Sequence, residues 1–320
     1  MLSGLLGFVG KHATRFMFGG VLVGLALPWL ANLVRPLFVP LLLIPLTIAL
    51  MRLDWQAFKA YGRRPLLILA ILAFLLLLCP VLMLGALKPF GLPPALAAAI
   101  VLMAAAPPIV SAAAISLILG LDAALAVIVI VLGTALVPLT LPPVALLLLG
   151  IQIEMSLPEF MGRLALLVGS SFLAALLLRK LIRPGWMAAN ARLLDGVSVL
   201  VLVLFAVAIM AGVTDKMLAD PGYVALTTLA AFIANLALQA LGYGAGRLVF
   251  RLGRPAAATL GLLTGNCNMG LVMVALADRA EFDMVVFFAM GQLPMYMLPG
   301  LLYPLYKKLA APVSVQPLAE

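Results

Sequence analysis

The sequence predicts an all-α polytopic membrane protein of ten transmembrane helices, built as two inverted five-helix repeats. Three observations predict it. The 320-residue chain is 66% hydrophobic and 10% charged, too apolar for a soluble chain of this length. Its basic residues fall in alternate loops between the apolar runs. Two interruptions, Ala106-Pro107-Pro108-Ile109-Val110-Ser111 and Thr264-Gly265-Asn266-Cys267-Asn268-Met269-Gly270, lie near the middle of apolar segments, about 160 residues apart. Breaks matched between two halves point to the binding site of a transporter.

Apolar runs of roughly 20 residues place the spans at 16–34, 37–53, 66–87, 93–120, 122–149, 164–182, 197–214, 223–249, 257–277 and 283–306. Prolines inside them (Pro80, Pro107, Pro108, Pro138, Pro294, Pro299) remove backbone donors. Membrane helices tolerate this where neighbours satisfy the freed carbonyls. With the amino terminus inside, Lys11, Arg15, Arg52, Lys59, Arg63, Arg64, Arg179, Lys180, Arg183, Arg192, Arg247, Arg251, Arg254, Lys307 and Lys308 are cytoplasmic. Only Arg35, Lys88, Arg163, Lys216 and Arg279 are external. Of the eleven acidic residues, seven fall outside, including Asp215, Asp220, Asp278, Glu281 and Asp283. The bias fixes a multi-pass inner (plasma) membrane topology with both termini cytoplasmic.

Ten spans divide into five and five, and an odd number per half forces the second half to insert upside down. A single transmembrane domain (1–320) then holds repeat one at about 16–150 and repeat two at about 164–309, meeting across the outer loop near Glu154 and Glu159. Spans four and nine become equivalent, and they carry the breaks. The residues before Phe16 place Lys11 and Arg15 after their apolar stretch, the wrong order for a cleavable signal peptide. They read as an interfacial amphipathic lead-in.

Other functions fall away on composition. The net charge of +9 belongs to topology, with no nucleic-acid patch behind it. Cys79 and Cys267 both lie in apolar segments, and His12 is the single histidine, so no metal site or disulfide framework is indicated. No ionisable side chain falls at mid-membrane: Asp122, Asp215 and Asp278 read as helix ends, which argues against a carboxylate proton relay.

The candidate site gathers around the breaks. Pro107 and Pro108 remove two consecutive donors, with Ser111 and Ser116 following; unwound backbone there offers carbonyls to a cation and a half-helix N-terminus to an anion. Thr264, Asn266 and Asn268 lie between Gly265 and Gly270, and amides at mid-depth need partners. The competing reading is interhelical packing through small residues. Gly133-Thr134 would face the first break if spans four and five form a hairpin, and Gln292 precedes Pro294 in span ten. Asn235 and Gln239 read as packing residues, while Met269, Met273, Met290, Met295 and Met297 supply adaptable apolar walls.

The chain resembles the bile-acid:sodium symporter family and its wider group of bacterial organic-anion transporters. The resemblance lies in Ala105-Ala106-Pro107-Pro108, in Leu121-Asp122-Ala123-Ala124-Leu125-Ala126-Val127, in Thr134-Ala135-Leu136-Val137-Pro138-Leu139 and in Gly265-Asn266-Cys267-Asn268-Met269-Gly270-Leu271. The run Pro45-Leu46-Thr47-Ile48-Ala49-Leu50-Met51-Arg52-Leu53-Asp54-Trp55 also resembles that family's second helix. It implies that helices four and nine are discontinuous, cross near the membrane centre and hold sodium beside the substrate cavity. It further implies a core of spans 3–5 and 8–10 and a panel of spans 1–2 and 6–7.

The family's Pro-Gly-Gly-x-x-Ser-Asn pattern places its proline on Pro107 and its Ser-Asn pair on Ala112-Ala113. Its Glu-x-Gly-x-Gln-Asn-x-Gly-Leu pattern places the Glu on Leu263 and the Gln on Cys267, while Gly265, Asn268, Gly270 and Leu271 match. The sodium-binding Thr of span five falls on Thr134. The expectation is therefore a secondary transporter of a small or amphipathic organic anion, with no cofactor. Its sodium is either dispensed with or held weakly by carbonyls, Thr134, Asn266 and Asn268. A non-transporting sensor or scaffold of the same fold is the alternative, and a membrane enzyme a further one.

Overall fold

The computed structural model describes residues 2–52, 61, 64–149, 156–276 and 280–311. Lys59, Arg63, Glu154, Asp278 and Arg279, residues 53–55 of the resemblance and the tail from Pro312 lie outside them. Among the described residues the chain is helical throughout, and its one β-type pairing is an isolated antiparallel bridge between Pro108 and Cys267.

The helices begin with α1 (Leu2–Lys11), α2 (Ala13–Ala26), α3 (Pro28–Val34), α4 (Phe38–Met51), α5 (Pro65–Ala73), α6 (Cys79–Leu87), α7 (Pro94–Ala105), α8 (Ser111–Leu119) and α9 (Ala123–Leu149). They continue with α10 (Leu157–Leu181), α11 (Pro184–Ala189), α12 (Ala191–Ala208), α13 (Val213–Ala219), α14 (Pro221–Leu248) and α15 (Arg254–Gly265). The last four are α16 (Met269–Leu276), α17 (Phe282–Met290), α18 (Gln292–Leu301) and α19 (Tyr303–Ala310).

Among the described residues, seven stretches are long and apolar enough to cross a membrane: Pro28–Met51, Pro65–Phe90, Ala123–Leu149, Leu157–Leu181, Ala191–Ala219, Pro221–Leu248 and Phe282–Leu301. The expected spans missing from this set are 16–34, 93–120 and 257–277, and each is interrupted. In the first, Pro28 lacks an N–H and drives Leu27 out of the helical region (φ −124°, ψ 74°). At 14 residues, α2 is about 21 Å long, short of the roughly 30 Å hydrocarbon core. The expected loop at 35–36 is instead a 3-10 turn, Arg35–Leu37, that joins α3 to α4. The other two interruptions are the paired breaks.

Prolines also explain the third expected span. Between α5 and α6 the residues Phe74–Leu78 form a π-helical turn, and the Cys79 N–H bonds to the Phe74 carbonyl, five residues back. This widened turn delivers the chain to Pro80, which has no N–H to offer.

Glycines set the close helix contacts. A Cβ on Gly20 would stand 2.8 Å from the Val203 carbonyl oxygen, and one on Gly24 would stand 2.8 Å from that of Val207. Gly20 and Gly24 are one turn apart, so α2 lies directly on α12, the two running parallel. The lead-in α1 packs on the same helix: a Cβ on Gly196 would meet the Leu6 carbonyl at 2.5 Å. On the other side α14 and α15 interlock antiparallel. Gly242 faces Thr264 and the Leu260 carbonyl, Gly246 faces Ala257, and Gly261 faces the Gln239 carbonyl.

Polar groups tie the helix ends. Asp122 accepts from the Leu125 N–H at 2.9 Å and so caps α9, and its own N–H donates to Thr259 Oγ1 at 2.9 Å. The Tyr61 hydroxyl also donates to the Asp122 carboxylate. Burial, then this carboxylate, pushes the Tyr61 phenol well up, so it stays a neutral donor. Ser156 and Asp220 cap α10 and α14. The outer surface is rich in exposed leucines, among them Leu69, Leu147, Leu166, Leu181 and Leu248, as a surface facing lipid requires.

Candidate functional site

The two breaks meet. The Ile109 N–H donates to the Asn266 carbonyl at 2.8 Å, and the Asn268 N–H donates to the Pro107 carbonyl at 2.7 Å. Each break therefore satisfies backbone groups that the other leaves without a helical partner. Unwound backbone inside an apolar protein needs such partners. Pro107, Pro108, Cys267 and the amides of Asn266 and Asn268 are all buried there.

The second break is satisfied almost wholly by local groups. Asn266 donates from Nδ2 to the Leu262 carbonyl at 2.8 Å, and Cys267 Sγ donates to the Thr264 carbonyl at 3.1 Å. Asn268 Oδ1 accepts from the Leu271 N–H at 3.1 Å, capping α16. Asn235 Nδ2, from α14, donates to the Gly265 carbonyl at 2.8 Å. Gln239 Nε2 donates to Asn235 Oδ1, and the Tyr306 hydroxyl donates to Gln239 Oε1. A buried relay from α19 through α14 thus holds the last turn of α15.

Thr264 is back-bonded to the Leu260 carbonyl at 2.7 Å and faces Gly242, on the side of α15 that packs against α14. Ser111 opens α8 and is half-buried. The N–H groups of Val110 and Ser111 take no backbone acceptor among the described residues. From α9, a Cβ on Gly133 would stand 3.5 Å from Pro108 Cδ and 3.8 Å from Pro107 Cβ, so the Gly133-Thr134 pair runs beside the first break. Gln292 opens α18 and donates from Nε2 to the Phe288 carbonyl at 3.1 Å. The adjoining Gly291 lies against Met269, the first residue of α16. The structure thus gathers Pro107, Pro108, Asn266 and Asn268 directly, flanks them with Ser111, Thr134 and Gln292, and turns Thr264 toward packing.

Several buried polar atoms have no hydrogen-bond partner among the described residues: Thr134 Oγ1, Asn266 Oδ1, Gln292 Oε1, Tyr296 Oη and Ser116 Oγ are among them. Such orphans are rare in folded proteins and mark places where a ligand or water is wanted. Tyr296 was not singled out from sequence, although its spacing of four from Gln292 puts both on one face of α18.

The crossing is covered. A Cβ on Gly270 would stand 2.5 Å from Phe205 Cζ and 3.2 Å from Leu42 Cδ1, so α12 and α4 lie directly over the head of α16. Phe38 stacks on Phe205 at 4.7 Å between ring centroids and holds that ring in place. A separate groove of about 970 Å³ between Ala70–Leu82 and Ala240–Phe250 is apolar and contains none of these residues.

The residues at the crossing can be tested for fit to sodium, a hard cation that needs several oxygens to repay its dehydration. The carbonyls of Pro107, Asn266, Leu262, Thr264 and Gly265 are already bonded within the protein. The side-chain oxygens left without a partner beside the crossing are neutral, Thr134 Oγ1, Asn266 Oδ1 and Gln292 Oε1, and the Met103 carbonyl opposite Pro107 is taken by the Ala106 N–H. Leu263 and Cys267 contribute no oxygen from their side chains, and among the described residues no cluster of acidic or other metal-binding side chains forms. This donor set does not fit a family-type sodium site.

Among curated proteins, none matches the chain. The family model described as Sodium Bile acid symporter family matches residues 39–220, more than half of the chain. That stretch includes the first break and Thr134; the second break lies beyond it. With its apolar helices and this match, the chain is a multi-pass membrane protein and belongs to the sodium bile acid symporter family, a family of transporters.

Proposed function

We propose that the protein is a secondary transporter that carries a small or amphipathic organic anion by alternating access, without obligatory sodium coupling. The observation that carries this reading is the reciprocal crossing of two broken helices, each supplying backbone bonds to the other. Helix interruptions at mid-depth are costly, and transporters place their binding sites on them.

The polarity of the crossing favours an anion. Three carbonyls at the end of α15, those of Leu262, Thr264 and Gly265, accept from Asn266, Cys267 and Asn235. The N–H groups of Val110 and Ser111 at the head of α8 remain open, and a helix N-terminus attracts negative charge. Buried Met269, Met290 and Met295 offer adaptable apolar surface for the substrate body.

In this reading ten segments cross the inner membrane as two inverted repeats, both termini lie in the cytoplasm, and the interrupted segments complete the seven continuous ones. Support comes from direction: α2 and α12 run parallel, as spans one and seven must, and α14 and α15 run antiparallel, as spans eight and nine must. The packing of α2 and α4 on α12, and of α10 on α4, agrees with a panel of spans 1–2 and 6–7, moving against a core of spans 3–5 and 8–10.

The test is uptake by proteoliposomes of carboxylates and sulfonates from acetate-sized to steroid-sized, with and without an inward sodium gradient. Ligands are first ranked by thermal shift, since binding to the folded state stabilises it. Accumulation that is unchanged by the gradient is expected; uptake that collapses without sodium overturns the coupling claim. Anion binding with no flux at all would establish the sensor reading instead.

A further inference from the structure

Away from the crossing, a groove of about 500 Å³ runs between the α1–α2 pair and α12. Its walls are Phe16 and Val23 on one side and Val203 and Val207 on the other, and Arg15 and His12 close one end. Gly19 forms part of the floor, and nothing lies within 4 Å of where its Cβ would stand. The groove exists because this glycine carries no side chain while Gly20, the next residue, brings α2 onto α12.

The groove is chemically asymmetric along its length. Arg15, Gly19 and Val23 follow one another at four-residue spacing, so they share a face of α2. Eight residues at 1.5 Å per residue place Val23 about 12 Å deeper along α2 than Arg15, close to the thickness of one hydrocarbon leaflet. Everything beyond Arg15 is apolar. Arg15 is exposed, and no carboxylate pairs with it among the described residues. Arg192 lies outside the lining, beside α1, its Cδ 3.8 Å from where a Cβ on Gly7 would stand, and the nearby Asp195 carboxylate is taken up by Arg52.

A cationic mouth on an apolar trough of leaflet depth matches an anionic head joined to an acyl chain. The geometry points to a binding site for an anionic membrane phospholipid, its phosphate on Arg15 and its acyl chain along Gly19 and Val23. The charge separates this ligand from a zwitterionic lipid, whose choline would meet the same arginine. The trough is separate from the crossed helices, so the inference stands whatever the transported substrate is.

Native mass spectrometry of the full-length protein, released from detergent with added lipid, tests it. The probes are palmitoyl-oleoyl phosphatidylglycerol and the phosphatidylcholine with the same chains. The wild type should retain one phosphatidylglycerol at least fivefold more often than one phosphatidylcholine. Arg15→Gln should erase that preference, and Gly19→Leu, which fills the trough, should remove the retained lipid altogether. Melting temperatures in lipid-free detergent establish that each variant is folded; should Gly19→Leu not fold, Arg15→Gln decides alone. Equal retention of the two lipids, or a preference that survives Arg15→Gln, overturns the proposal. So does light scattering that finds a dimer dissociated by Gly19→Leu, which would make a second copy the occupant.

Discussion

Gly270→Ala is the sharpest probe of the covered crossing, because local and tertiary effects have opposite signs. Gly270 lies in the first turn of α16, where alanine favours the helix by up to about 1 kcal/mol. The tertiary structure reverses this. The new methyl would stand 2.5 Å from Phe205 Cζ and 3.2 Å from Leu42 Cδ1, and Phe38 stacked behind Phe205 limits the ring's retreat. Overpacking of this kind costs roughly 1–3 kcal/mol; the helical gain is shared by covered and uncovered states, so even the lower end leaves about 1 kcal/mol against the closed arrangement.

In a protein that alternates, that penalty applies only where Phe205 covers α16, so the population should move about fivefold toward uncovered states. The chain carries its own reporter: Cys267 is 2% exposed at the crossing, and Cys79 is the other cysteine. In a Cys79→Ala background, maleimide labelling of Cys267 should accelerate about fivefold on Gly270→Ala and return toward the parent rate with Phe205→Leu added. Unchanged labelling together with a raised melting temperature would refute the argument, since helix propensity alone would then account for the substitution.

Three further outcomes follow from named contacts. Thr134→Val removes a buried hydroxyl that has no partner, so the melting temperature should hold or rise while uptake falls; a loss of about 1 kcal/mol in stability would mean the hydroxyl is bonded in the resting protein. Asn235→Leu strands the Gly265 carbonyl and frees Gln239, and a loss of about 1–3 kcal/mol is expected by thermal denaturation, with Tyr306→Phe giving a smaller loss through the same relay. Asn268→Ala removes the cap of α16, at about 1 kcal/mol. It should abolish or sharply reduce uptake in proteoliposomes at unchanged expression, and undiminished uptake would remove Asn268 from the site.

Much of this protein was legible along the chain. Pro107 and Pro108 mark the first break because two consecutive residues without an N–H cannot continue a helix, whatever surrounds them. The glycines and amides from Gly265 to Gly270 mark the second. The helix-end reading of Asp122 rests on equally local chemistry, and that residue does cap α9. The breaks in 93–120 and 257–277 were therefore placed to within a few residues. The interruption at Leu27 and the continuous turn at Arg35–Leu37 were missed, because one proline can either end a helix or begin one.

The tertiary structure alone decided what those local features do. Which carbonyl Ile109 and Asn268 would bond is a matter of two segments about 160 residues apart meeting in space, and no local pattern encodes that distance. The same holds for Asn235, whose amide could equally have faced lipid-side neighbours but reaches Gly265 because four glycines let α14 and α15 approach. Thr264 and Asn266 are two residues apart, yet one packs against Gly242 while the other keeps an unpartnered oxygen. Backbone donors and breakers are properties of a residue, so sequence determines where this chain must unwind. Satisfaction of the freed groups is a property of neighbours, so only the fold determines which of them stay open to a ligand.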